Sequence, residues 1–331
     1  ERLVLTAGAL LTSLAAFAAA WASSLVAVGA FLLLGGMAAA SSNSASGRLV
    51  VGWFPPEQRG LVMGIRQTAQ PLGVGLGALV IPRLAESSGV SAALLFPAIA
   101  CLVAAVVTAV GVIDPPRPPR SSAPATDLAN PYRGSSALAR IHAVSVLLVV
   151  PQSLVWTFSL VWLMTAHGWS AGAAGVMVTV AQLCGAAGRI AAGRWSDVMG
   201  SRLHPVRVIA IGAGASMGLL ALTDYLHWPV AVFVMVVASV VTVTDNGLSF
   251  TAIAEIAGPF WSGRALGVQN TSQLLTTGIV PPAFGALIGV FGFPAAFAVC
   301  ALFPMLAVPL VPVSADPLRA SFVGEDERAA G

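Results

Sequence analysis

An internal repeat is the feature of this 331-residue chain that most restricts its fold. The stretch MGIRQTAQ at 63–70 recurs as LGVQNTSQ at 266–273, and every position but one is identical or conservatively replaced. At the same offset, Asn43 aligns with Asn246. A long block that occurs twice in one chain predicts a protein built of two similar halves.

Hydrophobic segments of membrane-spanning length follow one another along the chain. Apolar residues make up 57% of it, charged residues only 9%, and the mean hydropathy is +0.88, whereas an ordinary soluble domain has about 25% charged residues. A bilayer core requires roughly 20 apolar residues in a helix. The sequence therefore predicts an all-α membrane protein with about ten transmembrane helices, at 3–21, 25–50, 60–82, 91–113, 138–165, 171–192, 206–223, 229–257, 265–288 and 293–311.

A linker rich in Pro, Ser and Arg at 114–137 separates four of these segments from the other six. Such a composition has no apolar period and is typical of a connection between domains. The predicted organisation is an incomplete first half at 1–113, a six-helix second half at 138–311 and a tail at 312–331.

The repeat also indicates that two helices are missing from the first half. Segments seven to ten match segments one to four, so segments five and six have no counterpart before the linker. The apolar run after Arg2 aligns with the run after Arg207, and the second half begins near residue 138. We therefore expect about 68 further residues ahead of Glu1 in the complete protein, giving twelve helices. The alternative is a protein of ten helices.

Arginine placement predicts the orientation in the membrane. The chain has no Lys, and all of its 16 arginines except Arg66 and Arg83 lie near one side if the linker is cytoplasmic. Cytoplasmic loops carry an excess of positive residues. This predicts a multi-pass protein of the plasma membrane with both ends of the chain in the cytoplasm.

Polarity divides the segments into two classes. Segments one, four, seven and ten are almost purely apolar, whereas the other six carry polar side chains. Polar groups within a bilayer are costly unless they pair or face water, so six segments are predicted to surround a central path. The candidate residues of this substrate cavity are Asn43, Arg66, Gln70, Gln152, Gln182, Asp245, Asn246, Gln269, Asn270 and Gln273.

The segment GRWSDVMGSR at 193–202 resembles the loop signature of the major facilitator superfamily. Gly193, Asp197, Gly200 and Arg202 fit its G-x-x-x-D-x-x-G-x-R core, whereas Val198 stands where a basic residue is usual. The resemblance implies a bundle of two pseudo-symmetric six-helix halves that moves a solute by alternating access. The segment WFPPEQRGLVMGI at 53–65 resembles the corresponding loop of many bacterial facilitators.

The chemistry of the 193–202 loop predicts a gate at the cytoplasmic side. Asp197 can accept hydrogen bonds from a helix N-terminus, and Arg202 can pair with Glu255 at the end of segment eight. Gly193 and Gly200 permit a tight turn between closely packed helices. The alternative is a solvated turn that has no role in switching.

Two charged residues within the segments allow two interpretations each. Arg66, in helical register with Gln70, either offers a positive charge to an anionic solute or extends to the membrane surface. Asp245 lies too far from both ends of its segment to reach water, so it either couples transport to protons or pairs with Arg66 or Asn246.

No nucleotide-binding loop, metal-ligand spacing or nucleophile–base arrangement appears in the sequence. The expected function is therefore not enzymatic and needs no cofactor or metal. We expect a monomeric, proton-coupled secondary transporter of a small organic solute, with protons and the lipid bilayer as its other partners and no nucleic acid. The alternatives are a proton-antiporting drug efflux protein and a sensor that binds a solute without moving it.

Overall fold

The computed structural model of the protein is almost entirely helical, and it describes residues 1–318 except 117, 118, 120 and 122. The predicted tail therefore lies largely outside the described residues. The helices are α1 (Arg2–Ala20), α2 (Leu25–Trp53), α3 (Pro56–Gln67), α4 (Ala69–Gly111), α5 (Ala125–Leu128), α6 (Pro131–Gly134), α7 (Ala137–Thr165), α8 (Ala171–Met199), α9 (Leu203–Tyr225), α10 (Ala231–Val241) and α11 (Asp245–Ala307). Two short 3₁₀ turns follow, Val308–Leu310 and Val313–Ala315.

Local capping residues explain where several helices begin and end. The side chain of Ser24 accepts a hydrogen bond from the Ala27 N–H at 3.2 Å, and Ser170 begins α8 in the same way. Such caps satisfy backbone donors that the first turn leaves open. Gly200 ends α8 in the left-handed conformation, with φ of 60°, which glycine adopts without steric cost.

Glycines interrupt the two longest helices. Gly89 in α4 and Gly258 and Gly292 in α11 have φ values of 86°, 71° and 81°. The apolar stretch from Ala231 to Leu310 has 80 residues, which as one straight helix would be about 120 Å long, about four times a bilayer core. This stretch is interrupted at 242–244, 258 and 292, so its parts can pack side by side as separate helices.

Within the described ranges, seven helical stretches are long and apolar enough to cross a membrane. The bounds of α1, α2, α7, α8 and α9 lie within a few residues of the predicted segments at one or both ends. The predicted segment 60–82 includes the end of α3 at Gln67 and the start of α4 at Ala69, and Thr68 between them keeps right-handed helical dihedral angles. Ten crossings therefore remain a prediction.

The helices pack as two groups in contact. In the first group α1 packs against α2 and α4, while in the second α7 and α9 pack against α11. The groups meet where α3 lies on α8 and where α2 lies on α11. At one end, the Trp53 indole N–H donates to the Ile113 carbonyl at 3.0 Å, next to the linker. We call this the linker end.

Candidate functional site

A break between α10 and α11 places Asp245 inside the bundle. The turn at 242–244 is held by short-range backbone bonds, such as the bond from the Thr244 N–H to the Val241 carbonyl at 3.3 Å. Asp245 is the first residue of α11 and is only 2% exposed. Its carboxylate is thus at the positive end of a helix dipole, which favours negative charge.

Beside this break lies a small polar cavity between the two groups of helices. Its volume is about 70 Å³, which is room for roughly two water molecules at about 30 Å³ each. We call it the central cavity. It is lined by Asn43, Gln67, Gln70, Val149, Gln152, Ser153, Trp156, Asn246, Phe250, Asn270, Gln273, Leu274 and Thr277.

Side-chain amides join the walls of the central cavity. The Asn43 amide donates to Asn270 Oδ1 at 2.8 Å, which connects α2 with α11. On the other wall, Gln273 donates to Asn246 Oδ1 at 2.9 Å, and Asn246 donates to Gln152 Oε1 at 2.7 Å. The repeat partners Asn43 and Asn246 therefore both take part in the network, Asn43 across the two groups of helices and Asn246 within the second group.

Arg66 turns across to α2 and away from the membrane surface. Its Nε donates to Ser46 Oγ at 2.8 Å, and its Nη2 donates to the Asn43 backbone oxygen at 2.6 Å and to Asn43 Oδ1 at 2.7 Å. The guanidinium also lies over the Phe250 ring, 5.8 Å from its centroid. This geometry differs from that of a surface-seeking arginine and puts the positive charge beside the cavity.

Arg189 is buried inside the bundle, with 1% exposure. The sequence places it among the polar residues of segment six and among the arginines near the cytoplasmic side, and its burial agrees with the first of these. Its Nη1 donates to the Gln67 carbonyl at 2.6 Å and to Gln70 Oε1 at 3.4 Å, and it lies over the Trp156 ring. Helical spacing from Gln182 also favours this inward position.

Arg189 and Asp245 interact electrostatically without forming a hydrogen bond. Arg189 Nε and Nη2 and Asp245 Oδ2 are all buried and have no hydrogen-bond partner among the described residues. Buried polar atoms are nearly always paired, and an unpaired ionised group costs more than a neutral one. Three unpaired atoms on two opposite charges therefore indicate a place that a bound group or a rearrangement would complete.

Four predicted cavity residues are not among those that line the cavity, namely Arg66, Gln182, Asp245 and Gln269. Gln269 is buried, and its Oε1 is 2.8 Å from His142 Nδ1. His142 Nε2 in turn is 3.0 Å from the Tyr132 hydroxyl, which belongs to α6 in the linker. Gln182 is buried on α8 but is not part of the cavity lining. Seven lining residues were not among the predicted cavity residues, namely Gln67, Val149, Ser153, Trp156, Phe250, Leu274 and Thr277.

At the linker end, Asp197 on α8 binds the beginning of α3. Its Oδ1 accepts from the Gly60 N–H at 3.0 Å and its Oδ2 from the Leu61 N–H at 2.7 Å. A carboxylate with two backbone donors near a helix N-terminus forms charge-assisted bonds that are stronger than neutral ones. The 193–202 loop therefore joins the two groups of helices.

Glycines allow α3 and α8 to approach closely at this point. A Cβ atom added at Gly60 would lie 2.6 Å from both the Gly193 carbonyl oxygen and Asp197 Oδ1. One turn further, a Cβ at Gly64 would lie 2.5 Å from the Arg189 carbonyl oxygen. Small residues at such a crossing let helix backbones pack directly.

Arg202 completes what we call the linker-end contact, made by Gly60, Leu61, Asp197, Arg202 and Glu255. Its Nη1 is 2.5 Å from Asp197 Oδ1, its Nε is 3.3 Å from Glu255 Oε2, and its Nη2 donates to the Pro56 carbonyl. Arg59 Nη1 lies 3.4 Å from Glu255 Oε1. Burial alone would lower the pKa of Arg202, but the nearby charges and hydrogen bonds of Glu255 and Asp197 hold the pKa above its usual value.

Among the residues that the structure describes, His, Cys, Asp and Glu side chains nowhere gather in a group of three that could hold a metal ion. What the arrangement offers is one buried guanidinium group, that of Arg189, one half-buried guanidinium group, that of Arg66, one buried carboxylate and several amides.

The chain is similar in sequence to an MFS-type transporter and similar in fold to solved structures of transporters. The chain is 58% identical over 313 residues to the uncharacterized MFS-type transporter Rv2994 of Mycobacterium tuberculosis, which covers 95% of this chain and 70% of that protein. The fold is similar to the human organic anion transporter MFSD10, with a TM-score of 0.73 and 20% identity over 94% of this chain and 76% of that one. It is also similar to the Escherichia coli fucose:proton symporter FucP, with a TM-score of 0.70 and 17% identity over 94% and 83% of the two chains.

The family model of the Major Facilitator Superfamily matches this chain twice, over residues 1–281 and 144–327. The double match agrees with the internal repeat and with the two groups of helices. The chain is therefore a multi-pass membrane protein that belongs to the Major Facilitator Superfamily of transporters.

Proposed function

We propose that the complete protein is a secondary active transporter that moves a small organic solute across the plasma membrane and couples this movement to protons through Asp245. The observation that carries the proposal is the environment of Asp245. A carboxylate at a helix break deep in the bundle, with one oxygen unpaired, can gain and lose a proton as its surroundings change. Discontinuous helices at the interface of two repeats are a recurrent place for solute and coupling-ion sites.

The linker-end contact supports alternating access. Its bonds join α3 of one group to α8 of the other, and they are ion pairs and hydrogen bonds that can break and reform as the groups rock. In this structure the contact is formed, so we propose that it represents the state closed at the linker end. Opening it would connect the central cavity with that side.

We propose that the linker end faces the cytoplasm and that both ends of this chain lie there. Several arginines lie at or beside the linker end, and cytoplasmic loops carry an excess of positive residues. These arginines are Arg59, Arg140, Arg202 and Arg207. Four further arginines on which the predicted orientation depends are outside the described residues, namely Arg117, Arg120, Arg319 and Arg328.

The organisation proposed for the complete protein is a monomer of two six-helix halves. The internal repeat and the composition of 114–137 support a division at this linker, with the first half at 1–113 and the second at 138–311. The repeat alone supports the further proposal of about 68 residues, or two helices, ahead of Glu1. A drug-efflux function would require a larger cavity, because sites for drug-sized ligands are about 300–1,000 Å³.

The test is solute accumulation in proteoliposomes that contain the complete protein. Vesicles with an imposed pH gradient are exposed to a bacterial metabolite extract, and the internal solutes are identified by mass spectrometry. We expect at least one solute to accumulate with the gradient and not without it. In Asp245→Asn the dependence on the gradient should be lost while the amount of inserted protein stays unchanged. Gradient-driven accumulation that persists in Asp245→Asn would refute the assignment of coupling to Asp245.

A matched control is Asp224→Asn, which removes a carboxylate at the opposite end of the bundle. Asp224 accepts a hydrogen bond from the Trp162 indole N–H at 3.0 Å and lies outside the central cavity. Its replacement should leave the gradient dependence intact. If a solute binds to the protein in solution and no solute enters vesicles, the protein is a sensor and the transport proposal is wrong.

A further inference from the structure

We propose that the central cavity, together with Arg189 behind its lining residues Gln67, Gln70 and Trp156, selects a small organic monoanion of the carboxylate class. The free edge of the Arg189 guanidinium is its anchor, which the anion reaches once these lining side chains shift, and Asp245 is the internal competitor for that edge. The proposal deepens the proposed function, because it names the substrate class of the same site. It can be tested by binding alone.

The charges around the cavity do not balance. At this level of the bundle the structure places two guanidinium groups, Arg66 and Arg189, and one carboxylate, Asp245. The nearest acidic residue along α11 is Glu255, about 15 Å further along the helix at 1.5 Å per residue, where it pairs with Arg202 and Arg59. The site thus has a net positive charge of one when Asp245 is ionised and of two when it is protonated, and a buried charge without a partner is costly.

Other titratable groups on the helices packed against this stretch are engaged elsewhere. On α7, His142 is bound between Gln269 and Tyr132. On α9, Asp224 lies at the opposite end with Trp162 and, at 3.5 Å, His167. These contacts hold the groups away from Arg189 and Asp245, so they leave the excess positive charge in place.

The two arginines differ in what they can offer to a ligand. Arg66 donates from Nε and Nη2 to Ser46 and Asn43, so it contributes a fixed charge. Arg189 uses only Nη1, which donates to the Gln67 carbonyl, whereas Nε and Nη2 have no partner among the described residues. Nε and Nη2 form one edge of the guanidinium, and this edge matches the two oxygens of a carboxylate.

Asp245 is the acidic side chain of the protein itself that could bind the Nε and Nη2 edge of the Arg189 guanidinium. Its Oδ2 also lacks a partner within the described part of the chain, and it interacts electrostatically with Arg189. An ionised Asp245 therefore attracts the same guanidinium that would hold a substrate anion, and protonation of Asp245 removes this competition. Anion and proton should consequently bind with positive cooperativity, and linkage requires that each raises the affinity for the other by the same factor.

The cavity indicates the size of the anion. At about 70 Å³ it accommodates a few non-hydrogen atoms in this closed state. Asn43, Gln70 and Gln152 provide amide groups for hydroxyl or keto oxygens, and Trp156 provides an apolar wall. A monocarboxylate of two or three carbon atoms is the largest that this closed-state volume allows, by a rough comparison with the volume of a water molecule.

The experiment measures binding of acetate and lactate to the complete protein in detergent, each beside its neutral amide. Titration calorimetry and thermal stabilisation are recorded from about pH 5 to about pH 8. We expect at least one carboxylate to bind and its amide not to. Arg189→Gln should weaken that binding roughly tenfold to a hundredfold, the size expected when a charged hydrogen-bonding group is removed. Arg194→Gln is the matched control, because it removes the same charge from an exposed position of the same helix and should have no effect.

The affinity should fall by up to about tenfold per pH unit above the point at which Asp245 ionises. In Asp245→Asn the binding should be tight at every pH. Arg189→Lys, which keeps the charge and loses the two-donor edge, should give an intermediate affinity and serves if Arg189→Gln does not fold.

The proposal is overturned if no carboxylate binds more tightly than its amide, or if the wild type and both Arg189 variants bind alike. Wild-type affinity that does not change with pH would overturn the role of Asp245 as competitor. Anion binding without flux would refute the transport function and leave this inference standing. Proton-driven accumulation of a neutral solute only would refute this inference and leave the transport function standing.

Discussion

Replacement of Asp197 by Ala should open the linker end of the bundle. The side chain of Asp197 is 1% exposed in the ion pair with Arg202, and it also accepts the Gly60 and Leu61 N–H groups. A hydrogen bond to a charged group contributes about 1.5–3 kcal/mol. Arg202 keeps Glu255 and the Pro56 carbonyl in the variant, so we expect a net loss of about 3 kcal/mol from the closed state. This corresponds to a shift of about a hundredfold in the equilibrium between closed and open states.

The assay is the labelling rate of a cysteine at position 262 in a protein whose three native cysteines are replaced by Ser. Ser262 is 3% exposed and lines a cleft of about 520 Å³ between the helix groups at the linker end, near Arg48 and Arg264. If opening is fast compared with labelling, the rate follows the open population. The rate for Ser262→Cys should therefore rise up to about a hundredfold with Asp197→Ala.

Two variants make this measurement specific. Glu57→Ala removes an exposed carboxylate from the same end of the bundle and should leave the labelling rate unchanged. Asp197→Asn keeps an acceptor oxygen without the charge and should give an intermediate rate. A change of less than about threefold with Asp197→Ala, in the presence and absence of solute, would refute the reasoning and reduce the loop to an ordinary turn.

Two further predictions concern stability at the linker end. Gly60→Ala should lower the unfolding temperature by several degrees, because its Cβ would lie 2.6 Å from the Gly193 carbonyl oxygen and overpacking costs about 1–3 kcal/mol. Gly73→Ala is the control and should leave the unfolding temperature unchanged, since its Cβ would have no atom within 4 Å. Equal thermal shifts in the two variants would contradict the close crossing of α3 and α8. Asp316→Ala should destabilise the start of α9 by about 1–2 kcal/mol, because its carboxylate accepts the first N–H groups there at 3.2 and 2.8 Å. Thermal unfolding and hydrogen exchange of α9 should show this loss, whereas Asp127→Ala in the linker should behave as wild type.

The hydrophobic segments alone predicted most of the helices. A bilayer demands a fixed length of apolar helix, so α1, α2, α7, α8 and α9 are visible in the sequence as runs of that length. The cost of polar groups in lipid likewise marks Asn43, Asp245 and Asn270 as inward-facing residues from the sequence alone. Six of the ten predicted cavity residues line the cavity, and Arg66 lies directly beside it.

The burial of Arg189 was decided by tertiary structure. Near the end of an apolar helix, an arginine can either extend to the membrane surface or turn inward, and its position in the sequence is the same in both cases. Its inward placement depends on the Gln67 carbonyl, which α3 presents across the interface. By contrast, the left-handed glycines Gly89, Gly258 and Gly292 lie in the gaps between the predicted apolar segments, so the interruptions of α4 and α11 were apparent from hydropathy.

The internal repeat, the membrane environment and the identity of the polar residues were therefore determined by the sequence itself. Which charges meet was determined only by the packing of the halves. In lipid both the outer and the inner faces of a helix are apolar, so periodicity does not specify how α3 and α8 are rotated against each other. Close contact between Gly60 and Gly193 sets that rotation, and with it the free edge of Arg189, the position of Asp245 and the bonds of Asp197.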